Sequence, residues 1–110
     1  MERFIKGDVV IVPFPFSDLS NSKRRPAFAV ADLSGIDIIL CQITSQNTVD
    51  NFSIAISQKD FISGNLPVDS NIRTSKIFTA DKNIVIRKAG VLKKETTEKV
   101  IQNFIELLKK

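Results

Sequence analysis

The stretch GDVVIVPFPF at residues 7–16 decides the class of fold. After its leading Gly-Asp pair, four β-branched residues follow without interruption, which predicts a short buried β-strand over residues 7–12. Pro13 and Pro15 lack a backbone N–H, so they are excluded from a central ladder and are expected at an edge or at a strand end. The chain is therefore expected to open with a strand that packs into a β-structured core.

Short apolar segments separated by turn residues continue this pattern. Pro26 opens a predicted second strand over residues 27–32, and a turn at residues 33–35 leads to an antiparallel third strand over residues 36–43. One helical turn is predicted at residues 57–61, with its end near Gly64. Further short strands are predicted over residues 52–56, 70–78 and 84–88, with a turn at residues 81–83.

The period becomes helical from Lys94 onward. The apolar residues of this last segment form one stripe, which comprises Val100, Ile101, Phe104, Ile105 and Leu108. Five or more short strands followed by one amphipathic helix predict a mainly β protein, a small β-barrel closed by a C-terminal helix. No repeat, linker or low-complexity tract divides the chain, so residues 1–110 are predicted to form a single domain.

The composition excludes several kinds of chemistry. The 110 residues include no His, no Trp, no Tyr and one Cys. Without His there is no imidazole acid or base, no His-activated nucleophile and no ordinary zinc site, so neither a metal nor a small-molecule cofactor is predicted. Cys41 follows apolar residues of the third strand and has no base to activate it, which favours a structural role.

The sequence offers no candidate for a membrane span. Its longest nearly apolar stretch, residues 9–16, contains two prolines and is far shorter than the about 20 residues that a spanning helix needs. Lys6 interrupts the N-terminal region before a signal sequence could form. The protein is therefore predicted to be cytoplasmic.

The net charge of +4 is unevenly distributed along the chain. Residues 1–26 carry five Lys or Arg against three acids, residues 27–70 one Lys against five Asp, and residues 71–110 ten Lys or Arg against four acids. Two basic ends could fold into one basic face that attracts a polyanion, nucleic acid above all. The alternative is that the C-terminal lysines simply solvate a helix.

Three consecutive cations end the polar loop predicted over residues 17–24. They are Lys23, Arg24 and Arg25, immediately before Pro26. The guanidinium group is planar, permanently charged and matched to phosphate, although a solvated loop end would have the same composition. Arg73 and Lys76 are further candidate cations, with an ordinary exposed strand face as their alternative.

Hydroxyl and amide groups follow the most buried predicted strand at Thr44, Ser45 and Gln46. They could donate to an anion, or they could cap the chain locally in a turn. Arg25 enters the second strand and Thr44 leaves the third, and these two ends of an antiparallel pair are adjacent. The two residues are therefore expected at the same rim of the sheet, where a cation and a hydroxyl make a plausible phosphate site.

Three blocks in order along the chain carry a family resemblance. They are GDVVIVPFPFSD with KRRPA at residues 7–27, CQITS at residues 41–45, and KIFTADK with GVL at residues 76–92. The sequence resembles the MazF/PemK-like toxins of type II toxin–antitoxin systems. The resemblance implies an SH3-like barrel of about five to seven strands, a homodimer and a cognate antitoxin. It also implies metal-independent cleavage of single-stranded RNA through the substrate's own 2′-hydroxyl, leaving a 2′,3′-cyclic phosphate and a 5′-hydroxyl.

The resemblance assigns roles to individual residues. Arg25 matches the catalytic Arg of the Arg-Pro motif, and Thr44 matches the catalytic Thr. The RNA-binding residues expected beside them are Lys23, Arg24, Ser45, Gln46, Arg73 and Lys76. Sequence recognition is expected from loops at residues 17–24 and 48–52.

The chain departs from the family pattern at the expected position of the general base. Ser75 stands where some members have Asp, Phe78 stands where many have Arg, and the first loop has no His. The base therefore has no assigned residue. Two alternatives remain open: a gyrase poison like the related CcdB toxins, whose C-terminal helix tip the ending LLKK does not match well, and an inactive homologue that keeps only binding surfaces.

Overall fold

The computed structural model describes residues 3–14, 23–46 and 52–110. The loop predicted at residues 17–24 lies outside the described residues except for Lys23 and Arg24, and of the segment 48–52 only Phe52 is described. Within these ranges the chain forms one antiparallel sheet and one C-terminal helix. The strands are β1 (Asp8–Phe14), β2 (Lys23–Asp32), β3 (Asp37–Thr44), β4 (Ser53–Ile56), β5 (Phe61–Gly64), β6 (Ser70–Asp81) and β7 (Arg87–Leu92), followed by helix α1 (Lys94–Leu108).

The sheet is strongly curled. Its strand order is β4-β6-β3-β2-β1-β7-β5, so the two edge strands are consecutive in sequence. A flat sheet of seven strands would hold its edges about 29 Å apart, at about 4.8 Å between neighbours. The chain passes from Ile56 to Phe61 through one short 3-10 turn, and five residues span at most about 18 Å. The edges must therefore approach each other, as in a barrel that is left partly open.

Two apolar clusters lie on the two faces of this sheet. The helix face is covered by α1, and its buried residues include Val9, Phe28, Cys41, Ile43 and Ile72 together with Val100 and Phe104 of the helix. The far face carries a second cluster that includes Phe4, Val10, Val12, Ala27, Ala29 and Leu40. Consecutive strand residues point to opposite faces, so neighbouring residues serve different cores.

The mainly β fold with a terminal helix is confirmed. The apolar stripe of the helix is only partly buried, however. Val100 and Phe104 are buried and Ile101 is half-buried, whereas Ile105 and Leu108 are exposed. No helix in the described ranges is long and apolar enough to cross a membrane.

Pro13 lies near the end of its strand, as its missing N–H predicts, and Pro15 lies outside the described residues. β1 pairs with β2 along Val9–Phe14 and with β7 along Asp8–Ile11, so it is a central strand. Pro13 is accommodated because it lies beyond the part that β7 covers. β2 also begins at Lys23 rather than after Pro26. Pro26 pairs with Ile11 of β1, whereas the pairing of β2 with β3 starts only at Ala27.

Two further boundaries differ from those predicted. Residues 61–64 form edge strand β5 after the 3-10 turn, and the last strand covers residues 87–92 instead of 84–88. Gly64 has φ +67, and a Cβ there would meet the backbone oxygen of Ala89 at 2.1 Å. Gly90 is also crowded, since a Cβ there would meet the Ser63 backbone oxygen at 2.7 Å and the Phe61 ring at 2.8 Å. Glycines at both positions thus allow β5 and β7 to pair closely.

Candidate functional site

A cleft of about 320 Å³ opens at one end of the curled sheet. Its lining comes from the ends of β1, β2, β3, β6 and β7 and from the segment between β5 and β6, residues 65–68. It includes three of the cations and three of the hydroxyl residues discussed below, and none of its described lining residues is acidic. The cleft is therefore a positively charged concavity at the mouth of the barrel.

The floor of the cleft is an apolar row across the strands. Ile11 pairs with Pro26 on one side and with Arg87 on the other, and these three residues all line the cleft together with Ile43. Paired residues share a face, and Ile43 belongs to the buried cluster of the helix face. The cleft is thus the open end of that core, with Arg87 where the apolar row ends.

Arg25 and Thr44 both line this cleft. The β2–β3 pairing ends with Ala27 opposite Gln42, and Arg25 and Thr44 each stand two residues beyond that last pair, on neighbouring strands. The sheet therefore brings the two residues to one rim, the arrangement expected from a hairpin whose two open ends are adjacent.

Alternation along β2 separates Arg24 from Arg25. Arg25 pairs with Val12, which is buried in the cluster of the far face, whereas Arg24 pairs with Pro13, two residues from Ile11 on the cleft floor. Arg24 thus shares the helix face with Arg87, and Arg25 shares the far face with Val12. Both arginines line the cleft because it lies where the sheet ends.

The Thr44 hydroxyl is positioned by a local turn. Its Oγ1 accepts a hydrogen bond from the Gln46 backbone N–H at 3.2 Å, and the Gln46 carbonyl accepts one from Asn71 Nδ2 at 3.1 Å. A hydroxyl that accepts a bond keeps its own hydrogen for donation. Thr44 can therefore cap the turn and donate to an anion at the same time, so the two readings of this residue are compatible.

The wall of the cleft is the segment 65–68, and hydrogen bonds hold it at both ends. Asn65 Nδ2 donates to Gln58 Oε1 at 2.9 Å, and the buried Ser70 donates from Oγ to the Val68 carbonyl at 3.0 Å. Between these bonds Leu66, Pro67 and Val68 present apolar side chains to the cleft. The wall is an apolar surface fixed to both neighbouring elements.

Sequence reasoning did not identify Arg87, Asn65 and Ser70 as site residues. Arg87 stands in an unremarkable strand, and only its register against Ile11 of β1 brings it to the cleft. Asn65 lies in a segment of ordinary loop composition, and Ser70 begins the strand predicted over residues 70–78. Nothing local marks these residues, since their placement depends on pairing between distant strands.

The remaining predicted cations lie outside the cleft lining. Arg73 is half-buried on β6 opposite Ser53 of the edge strand, and Lys76 is exposed on the same strand. Lys23 is exposed at the start of β2. Of the eight predicted site residues, four line the cleft, namely Arg24, Arg25, Thr44 and Ser45. Gln46 contributes through its backbone to the Thr44 turn.

Cys41 is fully buried in the core of the helix face. Burial raises the pKa of its thiol to about 12, because the thiolate would lose its hydration. The thiol is thus neutral at physiological pH and has a packing role. In the described part of the chain, no three His, Cys, Asp or Glu residues are grouped so that they could hold a metal ion.

Comparison with known proteins gives both a family and a fold. Residues 5–108 match the family described as PemK-like, MazF-like toxin of type II toxin–antitoxin system. No curated protein sequence matches the chain.

Solved structures resemble the fold at low sequence identity. An endoribonuclease from a mycobacterial species superposes with a TM-score of 0.76 at 17% identity, covering 99% of this chain and 94% of its own. The MazE-MazF complex from Deinococcus radiodurans gives 0.77 at 16% identity, covering 99% and 98%. A mycobacterial endoribonuclease in complex with its cognate antitoxin gives 0.78 at 14% identity, covering 97% and 96%.

Proposed function

We propose, from the premise that this chain belongs to the PemK-like, MazF-like toxin family of type II toxin–antitoxin systems, that it is a metal-independent endoribonuclease of single-stranded RNA. The observation that carries the proposal is the joint position of Arg25 and Thr44 at the rim of a cationic cleft. Family members with this fold are named endoribonucleases, and this chain has the cation and the hydroxyl that such chemistry needs.

The proposed reaction takes its nucleophile from the substrate. The 2′-oxygen of the RNA forms a bond to the adjacent phosphorus while the bond from phosphorus to the 5′-oxygen breaks. The 2′-hydroxyl proton passes to water, and water supplies the proton that the leaving 5′-oxygen takes up. The products are a 2′,3′-cyclic phosphate and a 5′-hydroxyl end, which requires neither a metal nor an imidazole.

Arg25 and Thr44 stabilise the charge that develops on the phosphorane. Arginine stays protonated in proteins, so Arg25 acts as a fixed cation and hydrogen-bond donor that neutralises the phosphorane and orients the leaving oxygen. Thr44 donates its hydroxyl hydrogen to a non-bridging oxygen, since its Oγ1 is already held by the Gln46 N–H at 3.2 Å. Both groups act most strongly on the transition state, where the negative charge is greatest.

The proposal extends to partners. The chain acts in the cytoplasm as a homodimer, and a cognate antitoxin holds it inactive by laying an acidic segment on the cationic cleft. The absence of acidic residues from the described cleft lining supports this, since three arginines there have no carboxylate among the lining groups. The fold is shared with a mycobacterial endoribonuclease solved in complex with its cognate antitoxin.

The test uses purified protein with single-stranded RNA in EDTA. We expect cleavage that persists in EDTA, leaves 2′,3′-cyclic phosphate ends and is lost when the scissile nucleotide is 2′-deoxy. Arg25→Ala and Thr44→Ala should each slow cleavage by about 10²–10³, whereas Lys99→Ala, on the exposed surface of α1, should retain it. Cleavage of the 2′-deoxy substrate would overturn the mechanism, and intact RNA with trapped gyrase complexes would overturn the proposed activity.

A further inference from the structure

We propose that the cleft is a nucleotide subsite, in which one base of the RNA stacks on the apolar wall at residues 66–68 and the phosphate of that nucleotide lies between Arg24 and Arg87. The proposal rests on the proposed function and deepens it, because it distinguishes a subsite that binds one nucleotide from the rim where the RNA is cleaved. The two places lie on opposite faces of the same sheet end.

The two cations of the subsite come from strands on either side of β1. Arg24 pairs with Pro13 and Arg87 with Ile11, and paired residues share a face. Their Cα atoms are separated by two strand spacings and two residues along β1, about 12 Å in ordinary sheet geometry. Two exposed arginine side chains that extend toward each other from that distance can both donate hydrogen bonds to a single phosphate between them.

Apolar surface lies beside these cations. Leu66, Pro67 and Val68 form one wall, Ile11 and Pro26 form part of the floor, and Val68 is 56% exposed although it is apolar. The flat face of a base can pack against such an apolar surface, which removes apolar area of both from water. The volume of about 320 Å³ lies at the lower end of the range of small-molecule pockets, about 300–1,000 Å³, which suits a single nucleotide.

Polar groups at the edges of the wall can select the base. Ser45 and Asn65 line the cleft, and their hydroxyl and carboxamide can both donate and accept hydrogen bonds. The wall is held in place before any ligand arrives, through the Asn65–Gln58 bond and the Ser70–Val68 bond. A preformed wall loses little entropy on binding, so the contact energy is available for affinity and selectivity.

The position of the subsite relative to Arg25 indicates which nucleotide of the RNA it binds, namely one next to the scissile phosphate. Arg24 and Arg25 are consecutive residues of β2. The phosphate that Arg24 binds on the helix face is therefore close to the reacting phosphate that Arg25 contacts on the far face. Consecutive phosphates of one strand can therefore occupy the two places, with the sugar between them crossing the end of the sheet. The subsite then orients the scissile step without touching its reacting atoms.

The first experiment needs no cleavage. The protein is titrated with each of the four nucleoside 5′-monophosphates and with inorganic phosphate, and backbone amide NMR shifts are recorded. We expect saturable shifts at Val68, Ser70 and Ala89, with at least one nucleotide binding about tenfold more tightly than phosphate. Equal affinity for phosphate and all nucleotides, or shifts confined to Thr44 and Gln46, would overturn the subsite.

Two variants and a matched control locate the ligand. Arg87→Gln should weaken nucleotide binding about tenfold or more, as expected for loss of a charged hydrogen bond. Val68→Asp, at an exposed position, should abolish it by placing a carboxylate on the stacking wall. Lys99→Gln removes one charge from exposed α1 and should change nothing. Unchanged binding in both cleft variants, with unchanged melting temperatures, contradicts the proposal.

A second experiment separates this inference from the proposed activity. Fluorescence anisotropy with RNA that carries a 2′-deoxy scissile nucleotide measures binding without cutting, and Arg87→Gln should lower this affinity about tenfold. If nucleotides bind in the cleft but natural RNA is never cut, the activity fails while the nucleotide site stands. If RNA is cut but Arg87→Gln leaves both RNA and nucleotide affinity unchanged, the activity stands and the subsite fails.

Discussion

Two pairs of consecutive cations, Arg24–Arg25 on β2 and Arg87–Lys88 on β7, are distributed over the two faces of the sheet in the same way. Arg24 and Arg87 lie on the helix face of the sheet, whereas Arg25 and Lys88 lie on the far face. Lys88 forms an ion pair with Asp8 at 3.3 Å, and Asp8 is almost fully buried. As proposed above, the helix-face cation of each pair binds an RNA phosphate, whereas its neighbour acts on the phosphorane (Arg25) or pairs with the buried Asp8 (Lys88).

This comparison shows why a run of like charges need not act as a unit. In a strand, a step of one residue moves a side chain to the other face of the sheet. The cluster Lys23-Arg24-Arg25 looks like one basic patch in the sequence, yet its members face different surroundings in the fold. Substitutions of adjacent residues should therefore give different phenotypes.

The largest difference is expected between Arg25 and Arg24. Arg25→Ala should lower kcat by about 10²–10³, the usual cost of losing one transition-state donor. Arg24→Ala should leave kcat near the wild-type value and raise KM about tenfold, because it removes binding that ground state and transition state share. Single-turnover and steady-state kinetics on the same RNA separate the two effects. Equal losses of kcat in both variants would contradict the division of the two faces.

The second difference is expected between Lys88 and Arg87, in stability rather than activity. Lys88→Met leaves the buried Asp8 carboxylate without its cation and should lower the free energy of unfolding by about 2–4 kcal/mol, since Lys88 is itself partly hydrated. Arg87→Gln removes an exposed side chain and should cost less than about 0.5 kcal/mol. Urea unfolding measures both. A stable Lys88→Met variant would mean that the ion pair does not hold β7 to β1.

A third comparison concerns the glycines beside the cleft. Gly64→Ala should destabilise the protein by about 2 kcal/mol or more, because its Cβ would meet the Ala89 oxygen at 2.1 Å and its φ is +67. Gly35→Ala, at the β2–β3 turn with nothing within 4 Å of the added Cβ, is the matched control and should be nearly neutral. Thermal melting checks the pair, and similar losses in both would show that crowding at β5–β7 is not the cause.

The smallest expected effect lies far from the cleft, at Asp32. Its pKa is lowered by its bond to Lys82 and by the Ser34 backbone N–H. A group whose pKa is lower in the folded state adds stability above its unfolded pKa, and that stability is lost as pH falls through the folded pKa. Asp32→Asn should therefore make the melting temperature fall less steeply as the pH decreases below about pH 4. The same pH dependence in wild type and variant would contradict this, and RNA affinity should not change.

The strands with alternating or continuous β-branched residues were predictable because their local pattern already favours the sheet. Residues 36–43 and 53–56 were located almost to their ends, and the amphipathic helix begins at Lys94 as predicted. Pro13 fits near the end of β1 because a proline is excluded only where a second partner requires its N–H. Whether such a partner is present depends on how far β7 reaches along β1, which local sequence does not encode.

Edge strand β5 was missed for a similar reason. Its four residues have no β-rich pattern, and its pairing depends on the close fit between Gly64 and Gly90. A glycine after a helical turn looks like a helix end in the sequence, whereas here it allows two strands to approach. Contact between distant glycines outweighed the local signal.

The sequence by itself determined a mainly β domain with a terminal helix, a chain without imidazole chemistry, and the joint position of Arg25 and Thr44 at one rim. These follow from local periodicity, composition and the geometry of a single hairpin. Only the tertiary structure decided that Arg24 and Arg25 face opposite sides, that Arg87 joins the cleft, and that residues 65–68 form its wall. Those facts depend on register and curl, which are set when strands far apart in the chain bury their apolar faces together.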